Sequence, residues 1–219
     1  MALPTYLQLV NDVLVRMREP EVSSVSENVL SKLVGRLVND AKRQVEDAYN
    51  WNALTATVTA VTDPNVFNYG LTGVGGRFKV IDVYNATGKV QMSPATTEIM
   101  NSEFLTAAAP PTGRVQYYNF NGITAVGDTQ VDLYPIPDSV QTILFNLYVP
   151  QDRLVNDGDT MYVPEEPVIL GAFARALVER GEDGGLPSSE AYALYRSSLA
   201  DHIAIEASRY VEEQSWEAI

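Results

Sequence analysis

The segment from Pro167 to Val178, PVILGAFARALV, restricts the folds open to this chain more than any other stretch. Val168, Ile169, Leu170, Ala172, Phe173, Ala174, Ala176, Leu177 and Val178 leave a helix here with almost no solvated face, and such a helix has to be buried. Its ends are legible. Pro167 suits the first turn, Glu165 and Glu166 complement the positive helix end, and Gly181 is a stop. The rest of the chain must supply its cover.

The first fifty residues supply part of it. Thr5 and Gln8 have the spacing of a capping box. Leu7, Val10, Leu14 and Met17 then recur at helical spacing until Pro20 ends the run. Ser24 and Glu27 offer a second capping box. Leu30, Leu33, Val34, Leu37, Ala41, Val45 and Ala48 form the apolar stripe of a second helix running to about Tyr49. The short connection predicts a helical hairpin. A last helix begins near Ser188 and carries Tyr192, Tyr195, Leu199, Ile203, Ala207 and Tyr210.

Between these helical ends the period changes from about 3.6 to 2. Strands are expected at 54–62, 66–71, 77–84, 90–92, 114–120, 123–126, 130–134 and 142–149, with a short helix within 94–105. Asn121-Gly122 reads as a hairpin turn and Gly70 to Gly76 as a mobile loop. Thr142 to Tyr148 is apolar on both faces and reads as a central strand. Pro135 and Pro137 exclude a regular ladder between it and the strand before. The expected class is α+β. Residues 1–50 and 164–219 form a helical bundle, and residues 51–163 form an inserted antiparallel β region.

Charge and composition narrow the function. Cysteine is absent and His202 is the single histidine, which excludes disulfides, thiolate sites and multi-histidine metal centres. The chain has 15 Lys and Arg against 28 Asp and Glu, a formal charge of −13. The excess is concentrated in residues 151–219, with five basic and fourteen acidic side chains. Such a surface repels nucleic-acid phosphate. It either attracts a basic protein partner or keeps the chain in solution. The start of the chain lacks a basic segment followed by an apolar core, so no signal peptide is expected, and no apolar run is long enough for a membrane span. The protein is expected to be assembled in the cytoplasm.

No catalytic motif stands out. The Gly70–Gly76 spacing fits neither common phosphate-loop pattern, and a strand follows it instead of a helix. Asp157, Asp159, Glu165 and Glu166 lack the spacing of a calcium loop. His202 lies on an acidic surface helix without a nucleophile at recognisable spacing. Asp128 and Asp132 are a carboxylate pair of the kind glycosidases use, in a region where turn aspartates are ordinary. No cofactor or metal is expected. The 12 tyrosines suggest either an interface or simple strand preference.

The order of elements resembles the head-to-tail adaptor proteins of tailed bacteriophages, including the tail tubular protein A group of short-tailed phages. The resemblance is carried by the helix and break of Leu7 to Val22, and by the long second helix running into Tyr49, Asn50 and Trp51. It is carried further by Val131 to Pro137 with Leu144 to Tyr148, and by Val163 to Pro167 opening an alanine-rich helix. It implies a structural virion protein at the head–tail interface that forms a ring, commonly of about twelve copies. The partners it implies are the portal, reached by the C-terminal segment, and a tail nozzle or tail tube protein, met by the β region. DNA would pass through the lumen without sequence-specific binding. Tyr210, Trp216 and Ile219 are the expected portal contacts, and Tyr69, Arg77, Tyr117 and Tyr118 the tail-side contacts. Alternative roles are another tail-completion or neck protein, or a glycan-binding or glycan-cleaving β module.

Overall fold

A computed structural model describes residues 3–106, 110–181 and 186–209. The fold is α+β. The helices are α1 (Tyr6–Arg16), α2 (Val29–Ala48), α3 (Thr97–Thr106), α4 (Glu165–Glu179) and α5 (Leu186–Ala207). The longer strands are β1 (Thr55–Val61), β3 (Lys79–Asn85), β7 (Tyr117–Ile123), β8 (Thr129–Tyr134) and β10 (Thr142–Tyr148). Five short ones are β2 (Asn68–Gly70), β4 (Val90–Gln91), β5 (Ser93–Pro94), β6 (Thr112–Gly113) and β9 (Ile136–Pro137). The chain forms two compact units. One holds the residues up to Leu54 and those from Pro150 on, and the other is Thr55–Val149.

In the helical unit α4 packs against α1, α2 and α5. Val168 and Ala172 are fully buried, as a helix with so little polar surface requires. Leu9, Val10, Val13, Val34, Val38, Ala41 and Val45 face it from α1 and α2 in one core. The Thr5–Gln8 capping box is present in full. The second capping box is not at Ser24 and Glu27. Asn28 caps α2, exchanging hydrogen bonds with Ser31, while Glu27 accepts from the Ser23 amide and hydroxyl. Ser31 fits this role because its short side chain also reaches the Val25 carbonyl at 2.9 Å. Gly35 permits the close approach of α1. A Cβ there would lie 2.4 Å from the Tyr6 hydroxyl and 2.8 Å from Val25.

Residues 150–163 lie with the helices, and hydrogen bonds explain why. The first amides of a helix have no partner within it. Here Tyr6 N donates to the Asp159 carbonyl at 2.8 Å and Leu7 N to the Asp157 carbonyl at 3.1 Å. Thr5 and Thr160 form an antiparallel bridge. On α2, Asn39 and Lys42 grip the same segment from the side. Asn39 Nδ2 donates to the Leu154 carbonyl at 3.0 Å, and its Oδ1 accepts from Leu154 N at 2.9 Å. Lys42 Nζ donates to the carbonyls of Gln151 and Asp152, at 2.8 and 3.0 Å.

The β unit has two four-stranded sheets, in the orders β1-β10-β3-β4 and β2-β8-β7-β5, and a small pair β6-β9. Pairing is mostly antiparallel, but β5 with β7 and β6 with β9 run parallel. Strand β10 lies between β1 and β3, as its apolar composition predicts. Ile143, Phe145 and Leu147 from one sheet meet Tyr118, Val131 and Leu133 from the other in a common core. Asn121-Gly122 is not the hairpin turn. It sits inside β7 at an irregularity between Phe120 and Ile123, and Gly122 takes φ 94. A bulge uses a positive-φ glycine as readily as a turn does. The chain reverses instead between Thr124 and Asp128, so 123–126 is not a separate strand. The Gly70–Gly76 stretch is pinned by Leu71 and Val74, which are 1% and 4% exposed in the core.

Candidate partner-binding surfaces

Several polar side chains that could have served chemistry are held in local hydrogen bonds. Asp159 accepts from the amides of Val155 and Asn156 at 2.7 and 2.8 Å, and these bonds hold its carboxyl below its ordinary 3.8. Asp157 Oδ1 accepts from Val25 N at 3.0 Å, tying the two segments of the helical unit. No cluster that could hold a metal ion occurs among the described residues. His202 Nδ1 donates to the Ser198 carbonyl one turn back, at 2.8 Å. Glu206 beside it accepts from Asn52 N at 3.0 Å and Arg209 at 3.0 Å.

These bonds give acid sensitivity a definite sign. A carboxyl with a depressed folded pKa contributes stability that is present above its unfolded value and lost as pH falls through the folded one. Asp159 is depressed, and so is Glu27, held below 4.5 by the Ser23 amide and then its hydroxyl. Asp12, raised by burial, acts in the opposite direction. The urea midpoint of the helical unit should therefore fall between about pH 5 and about pH 3, and Asp159→Asn should reduce that slope. An equal slope in the variant would contradict the assignment.

In the β unit, Asp132 is 6% exposed and accepts from Asn68 Nδ2 at 2.6 Å and Asn121 Nδ2 at 2.8 Å. Asp128 instead accepts from Gly73 N at 2.9 Å. Four residues of extended chain separate their Cα atoms by roughly 13 Å, beyond the spacing of a paired acid and base. Asp128 holds the Gly73 loop, and Asp132 bridges β2 and β7.

The four tyrosine and arginine positions expected to meet a tail partner are not brought together. Successive strand residues point to opposite faces. Tyr117 is 42% exposed with its ring 6.3 Å from Tyr134, whereas Tyr118 is 6% exposed and packs edge-on against Phe120 and Phe145. Tyr118 is thus a core residue. Tyr69 packs on the same core, and its hydroxyl donates to the Val66 carbonyl at 2.7 Å and accepts from Asp63 N at 2.9 Å. Arg77 is exposed. Sequence reasoning passed over two exposed apolar side chains here, Ile123 and Val126, 66% and 84% exposed at the β7–β8 turn. Their signal was available: two large apolar residues bracketed by Asn-Gly and Gly-Asp. Tyr210, Trp216 and Ile219 lie outside the described residues.

The fold and these surfaces define an α+β protein whose helical unit is made from two stretches of chain with a β unit inserted between them. The chain belongs to the SU10 adaptor protein family, whose sequence model matches residues 4–215. It is therefore a phage adaptor, a structural protein associated with other head and tail proteins. A search of curated proteins found no match. No helix among the described residues is long and apolar enough to cross a membrane.

Proposed function

We propose that this protein is the head-to-tail adaptor of a tailed phage, similar to the tail tubular protein A group, with no reaction to catalyse. Copies form a ring between the portal and the tail nozzle or tail tube, and the genome passes through its lumen. The reading is carried by the family match over residues 4–215. The charge of −13 supports it, because a chain this acidic does not hold DNA phosphate in passage. The segment 210–219 meets the portal, with Tyr210, Trp216 and Ile219 as apolar anchors among glutamates. The β unit meets the tail through Tyr117, Arg77 and the turn bearing Ile123 and Val126, while Tyr69 and Tyr118 hold that surface from beneath.

Deletion of residues 210–219 tests the assignment. The truncated protein is expected to keep its helical circular dichroism and thermal midpoint and to lose capture by the portal ring. Capture at the wild-type level would refute the portal role of this segment.

A further inference from the structure

Several cations of the helical unit are engaged within it. Lys42 pairs with Glu46, Arg180 with Glu19 and Arg209 with Glu206. Arg175 donates to the Gly171 carbonyl and to Gln44. Lys32, Arg36 and Arg153 form no ion pair with a described residue, and what sets them apart is that all three line one groove of about 740 Å³. Lys32 and Arg36 are one turn apart on α2 and so share a face. Arg153 comes from the far segment. The groove's one carboxylate, Asp157, already accepts from Val25 N. In a chain with 28 acidic and 15 basic residues, three cations gathered without partners repel one another until an outside anion arrives.

The same unit carries a candidate anion. A second groove, of about 420 Å³, is lined by Asp12, Glu21 and Glu165 and by no cation. Arg16, one turn along α1, offsets Asp12 only in part, since burial and Glu21 still raise its carboxyl. Tyr6 lines the first groove, and Gln8 and Asn11 line the second. At about 100° per residue they lie roughly 140–160° apart around α1, so the grooves flank opposite sides of that helix.

We infer that the basic groove of Lys32, Arg36 and Arg153 receives the acidic groove beside α1, lined by Asp12, Glu21 and Glu165, of a second copy of this chain. The inference rests on the ring reading above and names the surfaces that would build it. A patch and its complement on different faces make a head-to-tail contact, and such contacts close into rings. A two-fold dimer would instead set like charge on like. Complementary charge fixes register and partner choice and weakens with salt.

The test uses two full-length charge reversals, K32E/R36E and D12K/E21K, with mass followed by light scattering at low and high salt. Wild type is expected to assemble, and each variant alone to need at least tenfold more protein to do so. An equimolar mixture is expected to recover, because the swapped faces are again complementary. Wild-type assembly with unaffected variants, or folded variants that fail to recover on mixing, overturns the pairing and leaves the ring reading standing. Loss of assembly in K32E/R36E alone, with D12K/E21K unaffected, overturns the pairing with Asp12 and Glu21 and moves the groove's contact to another acidic face of the second copy. A wild type that stays monomeric with and without the portal overturns the ring reading itself.

Discussion

Replacing Lys42 by Met will destabilise the helical unit by about 3–5 kcal/mol, the range for removing one member of a buried ion pair. The Lys42 and Glu46 side chains are 3% and 1% exposed, and Nζ lies 2.8 Å from Glu46 Oε1. Its other donors reach the Gln151 and Asp152 carbonyls, so all three protons are placed. The substitution leaves a carboxylate in the core without its countercharge and two carbonyls without a donor. Adding Glu46→Leu should recover much of the loss, since a buried pair replaced by apolar groups is often neutral or better. Urea melts of the wild type, Lys42→Met and the double variant measure this. A single variant within about 0.5 kcal/mol of wild type, the usual scatter of surface substitutions, would contradict the burial of the pair.

Asn39→Ala is the second large effect, at roughly 2–5 kcal/mol for two orphaned backbone groups. Asn39 is 7% exposed, and its amide satisfies both the N–H and the carbonyl of Leu154. Its Nδ2 also lies 3.2 Å from the Tyr6 hydroxyl and 3.2 Å from the Gly35 carbonyl, so one side chain links α1, α2 and the returning segment. Lys42 stands about one turn further along α2 and grips residues just before Leu154. The two sites therefore couple, and Asn39→Ala with Lys42→Met should cost less than the sum of the single losses. Strict additivity would mean that the segment is not released as one piece.

These two residues show where sequence reasoning stops. The capping box at Thr5, the buried α4 and the central β10 were legible because each depends on neighbours in sequence or on a local period. Asn39 and Lys42 depend on partners 115 and 109 residues away. A Lys and a Glu set four apart inside an apolar stripe, at Lys42 and Glu46, is a signal that they are buried together, although it does not name their partners. The same limit explains Tyr117 and Tyr118. Alternation says that one of them faces inward, but only the pairing of β7 with β8 decides which. Asn28 displaced Ser24 as the cap because several residues between Pro20 and Leu30 could cap a helix. Which one does so depends on where Asp157 anchors the turn.

The most direct test of the adaptor role is the position of this protein in purified virus particles, found by cryo-electron microscopy with density assigned to its helical and β units. It is expected at the junction of head and tail, in multiple copies around the DNA channel, touching the portal on one side and the first tail component on the other. Purified, infectious particles that lack the protein would contradict the role.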